Sequence, residues 1–212
     1  MKSSSYEQRK TALIEEITAA FDGVSRQEGV TLHEATVIDN YGSLEERALA
    51  RTQDTEDKWQ NVPDRDIRFT NAVLSFLDPK GFHYYIPAYV VWYLRNIDNE
   101  DPEFWSNTFS SVIFHLSAGV HDDVGEYYLS KFKLFTLEQA KAIAHFLVFE
   151  AEREDAAQIA YKQQWRKSMS KEGFSPEELD DAWPEGEKFR IERGLPENDA
   201  RRALERYWGQ FL

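Results

Sequence analysis

Residues 66–95, DIRFTNAVLSFLDPKGFHYYIPAYVVWYLR, decide the fold. From Phe82 to Leu94 almost every side chain is aromatic or branched aliphatic, and the one charge available is a titratable imidazole, His83. A large aromatic can bury ~150–250 Å², so a globular chain commits such a run to its core or to a partner. Upstream, Ile67, Val73, Leu74 and Leu77 recur at helical spacing, with Asp64 placed as an N-cap. Asp78-Pro79-Lys80-Gly81 carries the residue preferences of a type I turn, and Pro87 suits the first turn of a following helix. The expected arrangement is two apolar helices joined through an aromatic elbow. Core packing accounts for Tyr84, Tyr85 and Tyr89; a pocket lined by them is the sharper alternative. Their hydroxyls need polar partners in either case.

Composition bounds what surrounds the elbow. A chain of 212 residues can build one substantial core, and 42% hydrophobic with 14% aromatic residues is globular, not disordered. The formal charge of −13 disfavours DNA, RNA and anionic membranes and favours a basic partner. With no cysteine there is no disulfide, thiolate nucleophile or cysteine zinc site, which fits a reducing cytoplasm. The N-terminal MKSSSYEQRK precedes no apolar signal region, and Ile86–Leu94 falls short of the ~20 residues a membrane span needs. A soluble cytoplasmic protein is expected.

The remaining segments read mostly as helices. Ser4-x-x-Glu7 forms a capping-box pattern ahead of an apolar face at Leu13, Ile17 and Phe21. Val30 to Ile38 mixes β-branched and polar types, predicting a short strand or an extended loop. Ser43-x-x-Glu46 opens a short helix, and Trp59 anchors the polar loop 53–63. Asp101-Pro102-Glu103 suits another helix start. The clearest helix begins at Thr136-x-x-Gln139, has its inner stripe at Ala140, Ile143, Ala144, Leu147 and Ala151, and runs on through Tyr161 and Trp165. Ser175-Pro176 starts a further helix, Trp183-Pro184-Glu185-Gly186 stops it, and Ala200 to Phe211 forms the last. The expectation is a mainly α, single compact domain. Its helical core spans 1–167, and a helical appendage, 168–212, docks on it.

The string DPKGFHYYIPAYVVWYL also resembles the hallmark of a bacterial family known only as domain of unknown function 6714. Asp78, Pro79, Gly81, Phe82, Tyr85, Pro87, Ala88 and Tyr89 carry the likeness, with Leu32, His33, Glu34, Ala35, Asp39, Asn40 and Tyr41 upstream. It covers roughly Ile14 to Ala151 and implies a shared fold, with no activity to transfer.

The sequence holds no Gly-rich phosphate loop, no Gly-x-Ser-x-Gly elbow and no His-Glu-x-x-His helix. His115, His121, Asp122 and Asp123 could group imidazoles and carboxylates around a divalent ion, but Asp is a common turn residue, and neither metal nor cofactor is expected. His33, Glu34 and Asp39 could act as acid and base if the fold brings them to Tyr85; His83 and Tyr89 would complete that alternative pocket. Residues 96–130 contain seven carboxylates and no Lys or Arg, with aromatics interleaved. A charge run is most often a solvated face. Here Asp98, Glu100, Asp101, Glu103, Asp122 and Asp123, with Trp105 and Tyr127 as anchors, also fit a basic protein. The expected function is therefore a non-catalytic binding protein, immunity- or antitoxin-like, that neutralises a basic partner such as a toxin. An enzyme or small-ligand protein with its site at the elbow is the alternative.

Overall fold

Asp78 explains how the central stretch folds. Its Oδ1 accepts the Gly81 N–H at 2.8 Å, which caps α5 (Pro79–Asn96), and the Val30 N–H at 2.9 Å, which ties a distant loop to the helix start. A Cβ on Gly81 would lie 2.4 Å from the Val30 carbonyl oxygen, so only glycine permits this approach. The computed structural model describes residues 4–101, 104, 106–117, 122–181 and 198–212, without the side chains of 4 and 122–125.

The elbow is thus one helix, not two. Residues 78–81 supply its N-cap and first turn, Pro79 takes N1, and Pro87 lies in the helix interior instead of opening a second helix. A proline there leaves the His83 carbonyl without its usual i+4 donor. The burial of every residue from Gly81 to Leu94 except His83, which is half-buried, offsets that loss. The upstream periodicity divides into α4 (Asp64–Phe69), whose N-cap is Pro63, and a 3-10 helix at Asn71–Ser75.

Other helices wrap α5. Phe21 and Ile17 seal it beside α1 (Ser4–Ala20), and Trp59, 2% exposed, donates its indole N–H to the Phe21 carbonyl. The short strand or extended loop expected at 30–38 is instead α2 (Leu32–Asp39), because Thr31 and Glu34 form a reciprocal capping box that outweighs the β-branched content. Then follow α3 (Leu44–Arg51), α6 (Thr108–Leu116), α7 (Asp122–Phe132) and α8 (Leu137–Lys171), which starts at its Thr136–Gln139 box. Phe146 of α8 meets Tyr93 edge-on at 5.2 Å. The helix start expected at 101–103 lies largely outside the described residues, as does the stop at 183–186.

At the C-terminus, α9 (Pro176–Asp181) is followed by α10 (Asp199–Arg206) and a 3-10 helix at Trp208–Phe211. Trp208 is fully buried, packs on Phe132 at 4.7 Å and donates to the Leu116 carbonyl at 2.7 Å. The last segment therefore shares the main core, while α8 crosses position 167 unbroken. The fold is mainly α, with no strand among the described residues. No described helix is long and apolar enough to cross a membrane.

Candidate functional site

The polar groups of the aromatic helix are engaged one by one. Arg26 donates to Glu56 at 2.7 Å, to the Tyr85 hydroxyl at 2.9 Å and to the Asp54 carbonyl at 3.0 Å. Tyr85 in turn donates to Glu56 at 2.7 Å. Burial, reinforced by that carboxylate bond, pushes the Tyr85 phenol far above its ordinary range. Such a hydroxyl holds its proton; it is a hydrogen-bond donor and a poor base or nucleophile. Asp54 accepts both the backbone N–H of His33, at 3.0 Å, and its Nδ1, at 2.7 Å. Glu34 is met by Arg47 at 3.0 Å and Arg51 at 2.8 Å.

The fold thus sets His33 and Tyr85 on either side of the 54–56 loop, while Asp39 takes no part. His83 bonds Gln139 at 2.8 Å, and burial draws its pKa down. Tyr89, fully buried, bonds the Thr70 hydroxyl at 2.7 Å and donates to the Thr70 carbonyl at 3.0 Å. These residues form separate networks instead of one convergent acid–base site. Arg26, Asp54 and Glu56 are the connecting members that sequence reasoning missed, since nothing local ties residue 26 to residue 85.

His115, weighed as a metal ligand and not expected to be one, has both ring nitrogens occupied as well. His115 is 3% exposed; its Nδ1–H donates to the Ser111 carbonyl at 2.7 Å, and its Nε2 accepts from the Ser75 hydroxyl at 2.9 Å. Burial draws its pKa to about 4, so the ring is neutral. His121 and the side chains of Asp122 and Asp123 lie outside the described residues, among which no group of three or more potential ligands forms. Nearby, Lys131 is completely buried and donates to the Leu74 carbonyl at 2.8 Å. The rings of Tyr127 and Phe82 lie 4.6 and 5.2 Å from its ammonium, and desolvation lowers its pKa to about 8. Tyr127 precedes Lys131 by one turn of α7, but Phe82 and Leu74 lie far from it in the chain, so no sequence signal marks their meeting.

The acidic segment is only partly an open surface. Asp98 is already bound by Lys10 at 2.9 Å and by the Tyr6 hydroxyl at 3.2 Å, both from α1. The absence of Lys and Arg within 96–130 therefore does not leave Asp98 unneutralised. Glu100 and Asp101 line an open groove of about 560 Å³ with Phe104 and Phe109, and Arg68 lies over the Phe104 ring at 4.5 Å. Tyr127 is 44% exposed, but its hydroxyl donates to the Ser75 carbonyl at 3.1 Å. Glu103 and Trp105 fall outside the described residues. Among the proposed contact residues whose side chains are described, Glu100 and Asp101 are brought together on one concave surface.

Neither a curated protein nor a solved structure matches the chain. A family model described as a family of unknown function, DUF6714, matches residues 9–171, and the chain belongs to that family.

Proposed function

We propose that this protein is a non-catalytic, acidic binding protein that captures and neutralises a basic protein partner in the manner of an immunity protein or antitoxin. The observation that carries the reading is the open groove whose described lining includes Glu100 and Asp101 together with Phe104 and Phe109. Carboxylates around apolar surface steer a basic surface in and then hold it by burial. The overall charge of −13 acts in the same direction at longer range. The absence of cysteine supports a reducing, cytoplasmic setting. At the aromatic helix, by contrast, the hydroxyls and carboxylates are already bonded to one another, which weakens the case for catalysis there.

The test is charge reversal restricted to the groove. Glu100→Lys with Asp101→Lys should slow association with the basic product of an adjoining gene by ~3–10-fold at low salt. The loss should shrink toward 1 M salt, where the Debye length falls to ~3 Å. Asp98 is left intact because reversing it would repel Lys10. An unchanged association rate in a variant that melts like the parent would sink the steering role.

A further inference from the structure

The α2–α3 hairpin carries a feature that the acidic groove does not explain. α2 ends in a Schellman motif: the Tyr41 N–H donates to Ile38 at 3.0 Å and the Gly42 N–H to Val37 at 2.9 Å. The left-handed position of that motif usually belongs to glycine. Here Tyr41 occupies it, at φ 57°. Glycine is spent on the next position, where a Cβ would lie 2.3 Å from the Val37 side chain. Tyr41 gains nothing inside the chain in return, since it is 98% exposed. A strained aromatic without intramolecular contacts points to a use outside the molecule.

Its surroundings point the same way. Leu44 and Leu49 are 73% and 70% exposed and stand about 140° apart on α3 at 3.6 residues per turn, with exposed Ala48 and Glu45 between them. Arg51 and Arg47 follow on the other side of Leu44 and turn onto Glu34. The exposed carboxylates of this face are Glu45, between the leucines, and Glu46 beyond Leu49, whose Oε2 accepts the Ser43 N–H at 2.7 Å, while half-buried Asp39 precedes the turn. Exposed apolar side chains interleaved with carboxylates, beside cations already bound to Glu34, fit a surface that presents Lys or Arg next to an apolar side chain.

We infer that the tip of the α2–α3 hairpin is a docking surface for a basic protein, with Tyr41 as its anchor. The inference rests on the proposed function only in taking the partner to be a basic protein. It assigns that partner a second contact, apart from the groove at 99–110.

The experiment places the photoreactive residue p-benzoylphenylalanine at 41, at 49 and, as a control, at the exposed C-terminal Leu212, in the full chain expressed in its own cells. A discrete adduct at 41 and 49 but not at 212, containing a protein of basic pI, is expected. Tyr41→Ala should then weaken binding to that purified protein at least 10-fold with no change in melting temperature. Tyr41→Gly should weaken it equally while raising the melting temperature by about 1–4 °C, because glycine relieves the left-handed strain. No adduct, an adduct equally strong at 212, a second copy of this chain or an acidic partner would each overturn the inference. The groove variant separates the two readings. If Tyr41→Ala fails to weaken binding while Glu100→Lys slows association, the hairpin is wrong and the groove stands. The reverse outcome removes the groove and keeps the hairpin, and the absence of both effects removes both.

Discussion

The two halves of α8 form one continuous helix in two different surroundings. Through Ala151 it presents Ala140, Ile143, Ala144, Phe146, Leu147 and Phe149 to the core, all buried. Beyond that, Ala156 to Tyr161 are all exposed, with Ile159 at 60% and Tyr161 at 62%. At 1.5 Å per residue the 35-residue helix is about 52 Å long, so its second half extends past the layer that the first half covers. Burial holds the first half. The second continues from that nucleus on Ala, Gln, Lys and Arg, residues with good helix propensity, and is braced by α9 through the Arg166–Asp180 ion pair. A regular helix therefore says little about how firmly each turn is held.

The largest contrast should come from the inner half. Leu147 is fully buried, and Leu147→Ala should cost ~2–5 kcal/mol, the lost transfer free energy plus the cavity left behind. Urea unfolding measures it. A loss well under 1 kcal/mol would mean that the two halves are held alike, and the comparison would fail.

The boundary between the halves offers a pH test. Glu154 has one buried carboxylate oxygen with no hydrogen-bond partner among the described residues, and its pKa is raised to about 7. Burial is the main cause. Glu150, Asp199 and Asp155 add to it, while Arg153 opposes it. Because the folded pKa exceeds the unfolded value, the unfolded chain loses this proton first as pH rises from about 4.5 to about 7. The unfolded state then binds fewer protons, so the contribution of Glu154 to stability falls across that window. Glu154→Gln should match the parent near pH 4.5 and exceed it by about 1–2 kcal/mol at pH 7.5, a figure discounted for partial exposure. Parallel stability–pH curves for the two proteins would show that the boundary is wetter than the geometry indicates.

How much of this was legible depended on range along the chain. The stripe from Ala140 to Ala151 and the Thr136, Ser43 and Ser175 capping boxes were readable because their partners lie within a few residues. The Asp-Pro-x-Gly string was recognisable but misread. Its residues suit a turn and a helix N-terminus equally, and Val30, the group that resolves the choice, lies 48 positions upstream of Asp78. Likewise the expected segregation of Asp98 as bare surface charge failed against Lys10, 88 positions away. Arg26, Glu56 and Tyr85, and Lys131 with the Leu74 carbonyl and the Phe82 ring, are joined only by the tertiary fold. Local pattern therefore gave elements and faces, while pairings between distant polar groups stayed out of reach, and those pairings decide which candidate residues remain open to a partner.

The smallest expected effect is the sharpest check on the outer half. Ile159→Ala removes a branched side chain from a position that is 60% exposed. Little apolar area leaves water there on folding, so the transfer contribution at ~25 cal/mol per Å² is slight. Alanine is also the better helix former, which offsets part of any loss. The net change should stay within about 0.5 kcal/mol, as for surface substitutions generally. Amide exchange should sharpen the result: residues 156–161 should exchange through local openings well below the global unfolding free energy, and residues 140–149 only near it. If Ile159→Ala instead costs as much as a core truncation, or 156–161 are protected like the inner half, a partner or second copy covers this stretch in solution, and the two halves of α8 are not held differently after all.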